Sequence, residues 1–324
     1  MSVLFLFTLL EKFGIIHKKH RGVIMIYTVT LNPALDYVMN THSLISKDIV
    51  RTDSEQLYYG GKGINVSVTL KNLGIDNKAL GFLAGFSGKQ LEEMLREDNV
   101  KCDFIYLPYG YTRINVKIKA EKSIDINAKG PEVSLDDVER LMKKLVKLGK
   151  DDTLVLAGSV PSTVRSDIYD KILERLDGRE VSFVVDACGD LLLNALKYKP
   201  FLIKPNHHEL GELFGIDIET VEDVIKYGKR LQELGAKNVL VSRGKDGAVL
   251  LDEEGEIHIS ENAEGKLVSS VGCGDSMVAG FIAGWQEKKS YAYALKLATA
   301  CANATAFSSS LATKAEIDEI FKKL

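Results

Sequence analysis

From Met25 onward the chain alternates short apolar runs with segments whose apolar residues recur every three or four positions. Ile26 to Leu31 is rich in β-branched residues and ends at Asn32-Pro33, which predicts a strand and then a turn. Gly60-Gly61-Lys62-Gly63 leads into Ile64 to Leu73, whose spacing predicts a helix stopping at Gly74. The apolar stretch Ala79 to Ala84 and a polar helical segment, Ser87 to Asp98, follow. Ser134 is placed to cap a helix with Leu135, Val138, Leu141, Met142, Leu145 and Val146 on one face. Beyond it, Thr153 to Leu156, Val181 to Val185 and Phe201 to Ile203 read as buried strands separated by helical segments, and Val239 to Ser242 extends the set. Continuous apolar strands alternating with helices predict an α/β fold with a mostly parallel sheet covered on both faces. Ala248 to Leu251 and Glu256 to Ile259 predict a hairpin around Glu254-Gly255, and the tail from Asp275 reads as helical throughout.

One region has a different texture. Phe104 to Leu107, Thr112 to Lys119 and Ser123 to Ile126 alternate apolar and polar residues, with Ile114, Val116 and Ile118 set against Asn115, Lys117 and Lys119. Such alternation predicts strands with one wet face. With residues around 37–58 they form, on this reading, a small sheet outside the main layer.

Composition narrows the function classes. The 324 residues carry 42 Lys and Arg against 45 Asp and Glu, a formal net charge of -3. That excludes a broad basic face for nucleic acid but leaves room for a locally basic pocket. Cys102, Cys188, Cys273 and Cys301 are far apart and form no metal or disulfide pattern, which fits a reducing, cytoplasmic setting. His207-His208 reads as an incidental pair. Val3 to Leu10 is too short an apolar run to span a bilayer, and its basic residues (Lys18, Lys19, Arg21) follow it, unlike a signal peptide. Residues 1–24 therefore read as a dispensable extension, and no membrane association is expected.

Four segments carry candidate chemistry. Ser270-Val271-Gly272-Cys273-Gly274-Asp275-Ser276 stands directly before an apolar helix. Glycines there turn backbone N–H groups toward an anion, and Asp275 is placed to take a proton from a hydroxyl held against them. An ordinary helix cap accounts for the same pattern. Ser242-Arg243-Gly244-Lys245-Asp246-Gly247 ends a strand and suits either a nucleotide's close approach or a plain glycine turn. In Lys204-Pro205-Asn206-His207-His208-Glu209, Asn206 and Glu209 share one side of a first helical turn, which suits magnesium with its waters or a capping box. Near the front, Asp36 and Asn65 suit sugar hydroxyls, while Lys62 and Arg113 suit a phosphate. Neither a Walker pattern nor an opening G-x-G-x-x-G is present.

Taken in order, NPALD, GGKGINV, TRINVK, GSVP, KPNHHEL, SRGKDG and VGCGDS resemble the motifs of the ribokinase-like (PfkB) carbohydrate kinases, over about 300 residues from Met25 to the C-terminus. The front motifs most resemble the branch acting on fructose 1-phosphate, with the tagatose 6-phosphate branch as its near relative. The resemblance implies a three-layer α/β/α sandwich, residues 25–324, with a small β lid from segments near 37–58 and 104–127. It implies Asp275 as general base, with Gly272, Cys273 and Gly274 as the anion hole for the transferring phosphoryl group. It implies ATP as co-substrate, held by Lys204, Asn206, Ser242, Gly244 and Gly247, and Mg2+ near Asn206 and Glu209 through water. Asp36, Gly61, Lys62, Asn65, Arg113, Asn115 and Ser159 fall on the sugar-phosphate side. Cys273 stands where the family commonly has alanine; cysteine is only slightly larger and keeps its backbone N–H, so little effect is expected beyond sensitivity to oxidation. Arg243 also departs from the small apolar residue frequent there, and the loop Asn127 to Pro131 is less glycine-rich than usual. A homodimer through the lid is implied as well. A non-catalytic sugar-phosphate sensor is the rival from another class; intact Asp275, Asn206 and Glu209 speak against it.

Overall fold

The computed structural model describes residues 24–42 and 49–324. Nearly all of the N-terminal extension, and positions 43–48 of the first lid segment, lie outside the described residues. The main sheet runs in the order β14 (Ile257–Ser260), β13 (Ala248–Leu251), β12 (Asn238–Ser242), β11 (Leu202–Ile203), β10 (Ser182–Asp186), β9 (Thr153–Ala157), β1 (Ile26–Thr30), β4 (Asn77–Ala84), β5 (Lys101–Cys102). Pairing is parallel from β12 to β5, and antiparallel only in β13 and β14.

The apolar runs supply both faces of this sheet. On β9, Leu154 and Leu156 join one buried cluster, while Val155 and Ala157 join the other. The first cluster is completed by α3 (Leu135–Leu145), α4 (Ile168–Leu176), α5 (Gly189–Ala195), α6 (His207–Phe214) and α7 (Val221–Glu233). The second is completed by α1 (Lys62–Asn72), α8 (Cys273–Lys288), α9 (Tyr291–Ala306) and α10 (Lys314–Lys323). This is the expected three-layer α/β/α arrangement. Ser134 caps α3 in a reciprocal capping box with Asp137.

A second sheet has the order β3 (Ser54–Gly60), β2 (Ala34–Asn40), β7 (Arg113–Lys119), β8 (Ile124–Ile126). Its base packs on α2 (Gly85–Glu97), where Leu35 joins Ile64, Val68, Leu91 and Leu95. The Tyr59 hydroxyl donates to Asp98 Oδ2 at 2.9 Å, tying β3 to the end of α2.

The structure corrects three readings. The alternating segment at 104–107 is not in the second sheet: β6 (Ile105–Leu107) pairs with β4 at the main sheet's edge. It alternates because Ile105 and Leu107 are buried in the main core while Tyr106 faces solvent, as an edge strand requires. The second of the buried strands, predicted to end at Val185, runs one residue further, to Asp186, because the parallel ladder with β9 continues to Ala157. The tail is three helices, α8 to α10, rather than one continuous helical region.

Candidate active site

Parallel α/β sheets concentrate chemistry at the carboxyl ends of their strands, where backbone groups and helix N-termini converge. Here those ends deliver Gly158-Ser159 after β9, Asp186 on β10, Lys204 after β11 and Ser242 on β12. The second sheet stands over them. Between the two lies a cleft of about 1020 Å3 whose walls include Asp36, Gly61, Lys62, Asn65, Arg113 and Asn115. Ser159, Gly272 and Asp275 line it too, so every residue read as facing the sugar shares one cavity with the proposed base and the start of its helix.

Helix α8 begins at Gly272, whose φ of 80° is left-handed and whose missing side chain leaves room for Leu311; a Cβ would sit 2.7 Å from Leu311 Cδ2. The first intrahelical bond is Ser276 N–H to the Gly272 carbonyl, at 2.8 Å. The amides of Cys273, Gly274 and Asp275 precede it, and so make the positive end of the helix. Ser276 Oγ lies 3.2 Å from Thr69 Oγ1 and 2.9 Å from Thr305 Oγ1, which pins this turn to α1 and α9. A Cβ on Gly274 would lie 3.2 Å from Lys204 Nζ, so a buried ammonium adjoins the amides.

Asp275 is buried, and Asn65 Nδ2 donates to its Oδ2 at 2.8 Å. Burial first, and then the charge of Asp186, push its carboxyl up to about 6, against the pull of Asn65, Lys62 and Lys204. Asp186 is the residue that sequence reasoning missed. It is 1% exposed, its Oδ1 takes Lys62 Nζ at 3.1 Å and Lys204 Nζ at 3.5 Å, and its Oδ2 is buried without a partner. The available signal was its place at the end of an apolar parallel strand.

Lys62 lines the same cleft, with its ammonium paired to Asp186. Burial works to lower its pKa, but Asp186, Asp275 and Glu209 outweigh that and hold it above the ordinary lysine value. Its Nζ lies 3.1 Å from Asp186 Oδ1, while Arg113 Nε donates to the Asn32 carbonyl at 3.1 Å.

Asn206 and Glu209 form the capping box of α6: Asn206 N–H donates to Glu209 Oε2 at 2.8 Å, and Glu209 N–H to Asn206 Oδ1 at 2.9 Å. Among the described residues, Glu209 Oε1 is left with only the Cys188 thiol, at 3.6 Å. Ser242 bridges Asn206 across the strand ends. Gly244 opens a short 3-10 turn, Gly244–Asp246, whose Arg243 Nη1 donates only to the local Asp246 carbonyl at 3.4 Å. Gly247 has a structural reason to be glycine, since a Cβ there would meet the Ser260 carbonyl at 2.0 Å. Burial first, and then the charge of Asp275, push the Cys273 thiol up to about 11, which disfavours the reactive thiolate. Among the described residues, no group of three or more His, Cys, Asp and Glu forms a metal cluster, and no helix is long and apolar enough to cross a membrane.

Residues 29–318 match the sequence profile described as pfkB family carbohydrate kinase. The chain belongs to that family. It is 43% identical over 300 residues to the 1-phosphofructokinase of Bacillus subtilis strain 168, covering 93% of this chain and 98% of that one. It is 36% identical to a D-tagatose-1-phosphate kinase of Bacillus licheniformis, covering 91% and 97%. The fold matches the crystal structure of phosphofructokinase-2 from Escherichia coli in complex with substrates and products, with a TM-score of 0.87 and 26% identity over 92% of this chain and 99% of that one. The non-catalytic sensor gives way to a kinase.

Proposed function

We propose that this kinase transfers the terminal phosphoryl group of ATP to the C6 hydroxyl of D-fructose 1-phosphate, giving the 1,6-bisphosphate and ADP. The observation that carries the reading is a buried carboxylate, Asp275, opening a helix N-terminus inside a cleft that also holds a carboxylate–amide pair for hydroxyls and the cations Lys62 and Arg113. The name of the B. subtilis relative points the same way.

Asp275 accepts the proton as the hydroxyl oxygen attacks phosphorus. Asn65 holds one carboxylate oxygen, leaving the other to receive it. The amides of Gly272, Cys273 and Gly274 face the charge that builds on the transferring group, with Lys62 and Lys204 beside them. Arg113, half-buried and making no ion pair among the described residues, holds the phosphate already on the sugar, with Ser159 nearby. Asp36 and Asn115 read the sugar hydroxyls. Lys204, Asn206, Ser242, Gly244 and Gly247 hold the nucleotide side. The donor set at Asn206 and Glu209 fits Mg2+ through ordered water, because the capping box engages Asn206 Oδ1 and Glu209 Oε2 and leaves Glu209 Oε1, beside the Cys188 thiol, outside it. When bound there, the ion supplies charge neutralisation on the nucleotide phosphates.

A tagatose phosphate is the second reading. Tagatose 6-phosphate would need transfer to C1, whereas tagatose 1-phosphate, named for the B. licheniformis relative, carries its phosphate on the same carbon as fructose 1-phosphate and differs at C4. An ADP-release assay over fructose 1-phosphate, fructose 6-phosphate, both tagatose phosphates and ribose tests the choice. The highest kcat/KM is expected with fructose 1-phosphate; a clear preference for any other acceptor overturns the assignment.

The lid supports a homodimer. Its outer face presents a row formed by Leu57, Tyr37, Val116 and Ile126 in register across four strands, with Leu57 and Ile126 exposed. An apolar sheet face open to water favours a second copy over it. Light scattering at micromolar concentration is expected to give twice the chain mass, and a fully active monomer would refute the dimer.

A further inference from the structure

Strand β7 carries Arg113, Asn115, Lys117 and Lys119 on its cleft face, two residues apart, as strand geometry requires. The parallel register sets Asn115 beside Asp36 and Lys117 beside Val38. Asp36 is thereby clamped: Asn115 Nδ2 donates to its Oδ1 at 2.8 Å, and Lys117 Nζ lies 2.8 Å from its Oδ2. Asn115 is itself oriented by the Ala128 N–H, which donates to its Oδ1 at 3.2 Å. On the other side, Gly60 of β3 leaves no slack, since a Cβ there would lie 3.1 Å from all three atoms of the carboxyl group. The ion pair is largely shielded, with side-chain exposures of 18% for Lys117 and 12% for Asp36.

A carboxylate in such a cleft poses an electrostatic problem. It suits a sugar hydroxyl, but it repels a sugar that carries a phosphate dianion, and poor solvation strengthens the repulsion. We propose that Lys117 is the specificity-determining positioning residue that neutralises Asp36, so that this cleft reads hydroxyls with a carboxylate and still admits an anionic sugar. The proposal rests on the sugar-phosphate reading above. Lys117 acts through Asp36 rather than on the substrate's phosphate, because its ammonium is already committed to Oδ2.

The test is a double-mutant cycle read in steady-state kinetics. Lys117→Met is expected to raise KM for fructose 1-phosphate by about 10-fold or more, as when a shielded charge loses its partner, with a much smaller fall in kcat. KM for ATP stays unchanged, and Lys117→Arg recovers most of the loss. In an Asp36→Asn background the same Lys117→Met change adds less than about 2-fold, because no charge remains to neutralise. Should Lys117→Met fold poorly, the comparison of Asp36→Asn with the double variant carries the test alone, since neither leaves an unpaired aspartate. An equal penalty in both backgrounds, or no change in KM, overturns the proposal while leaving the sugar-phosphate reading intact. A wild-type enzyme that prefers a neutral sugar overturns both.

Discussion

Asp275→Asn is expected to lower kcat by about 1,000-fold, within the range that a positioned general base contributes. Its amide keeps an oxygen to accept from Asn65 Nδ2 but cannot accept the substrate's proton. ATP binding, measured by calorimetry, should be spared, because the groups read as its ligands are backbone amides and side chains other than that of Asp275. The same substitution should stabilise the fold at neutral pH. Burial and the Asp186 charge raise the Asp275 pKa to about 6 in the folded chain, so its stabilising contribution is present below the ordinary aspartate range and is lost as pH rises through about 6. Above that the ionised group is a net cost, which asparagine removes; the melting temperature should rise by about 2 to 4 °C for each kcal/mol relieved. In the wild-type enzyme the corresponding signature is kinetic: kcat/KM should fall on the acid side of about pH 6, as the base becomes protonated. Near-normal turnover by Asp275→Asn, or an acid limb near the ordinary aspartate range, would refute its role as base.

Lys62→Met is the second large effect. The ammonium sits 3.1 Å from Asp186 Oδ1 and pulls the Asp275 pKa down, so it stands among the charges around the base. A cation facing the transferring phosphoryl group acts mainly on the transition state, and its removal should lower kcat by about 100-fold or more. KM for the sugar phosphate should change little, and the acid limb should move to higher pH because one stabiliser of the ionised base is gone. Were Lys62 instead the ligand of the substrate's own phosphate, KM would rise and kcat would hold. The split between the two constants decides between these roles. Lys204 remains on the same Asp186 oxygen, which limits the structural damage from an unpaired buried carboxylate.

Lys62 also shows why some of the site could be read in the chain and some could not. Its motif, GGKGINV, was visible as a glycine turn entering a helix, but its partner Asp186 lies 124 residues away on another strand. The pairing of Asn65 with Asp275 spans 210 residues, and that of Asn115 with Asp36 spans 79. By contrast, the Asn206–Glu209 capping box is complete within three residues, and its geometry is what the spacing implied. Gly247 is an intermediate case: a turn glycine in the sequence, it proves to be held by the approach of Ser260 from the neighbouring strand.

Local chemistry was therefore legible wherever a feature closes within a turn or along one strand: the apolar runs of the parallel sheet, the two-residue alternation of the lid, the helix caps and the glycines opening α8. Those features depend on backbone periodicity and steric limits, which act between near neighbours. Tertiary structure alone decided that Ile105 to Leu107 joins the main sheet, that Asp186 gathers two lysines beside the base, and that Lys117 pairs with Asp36. Each depends on burial, and burial decides what a charge is worth. A buried carboxylate must find a cation or rise in pKa, and which of the 42 lysines and arginines answers it is set by the fold and not by distance along the chain.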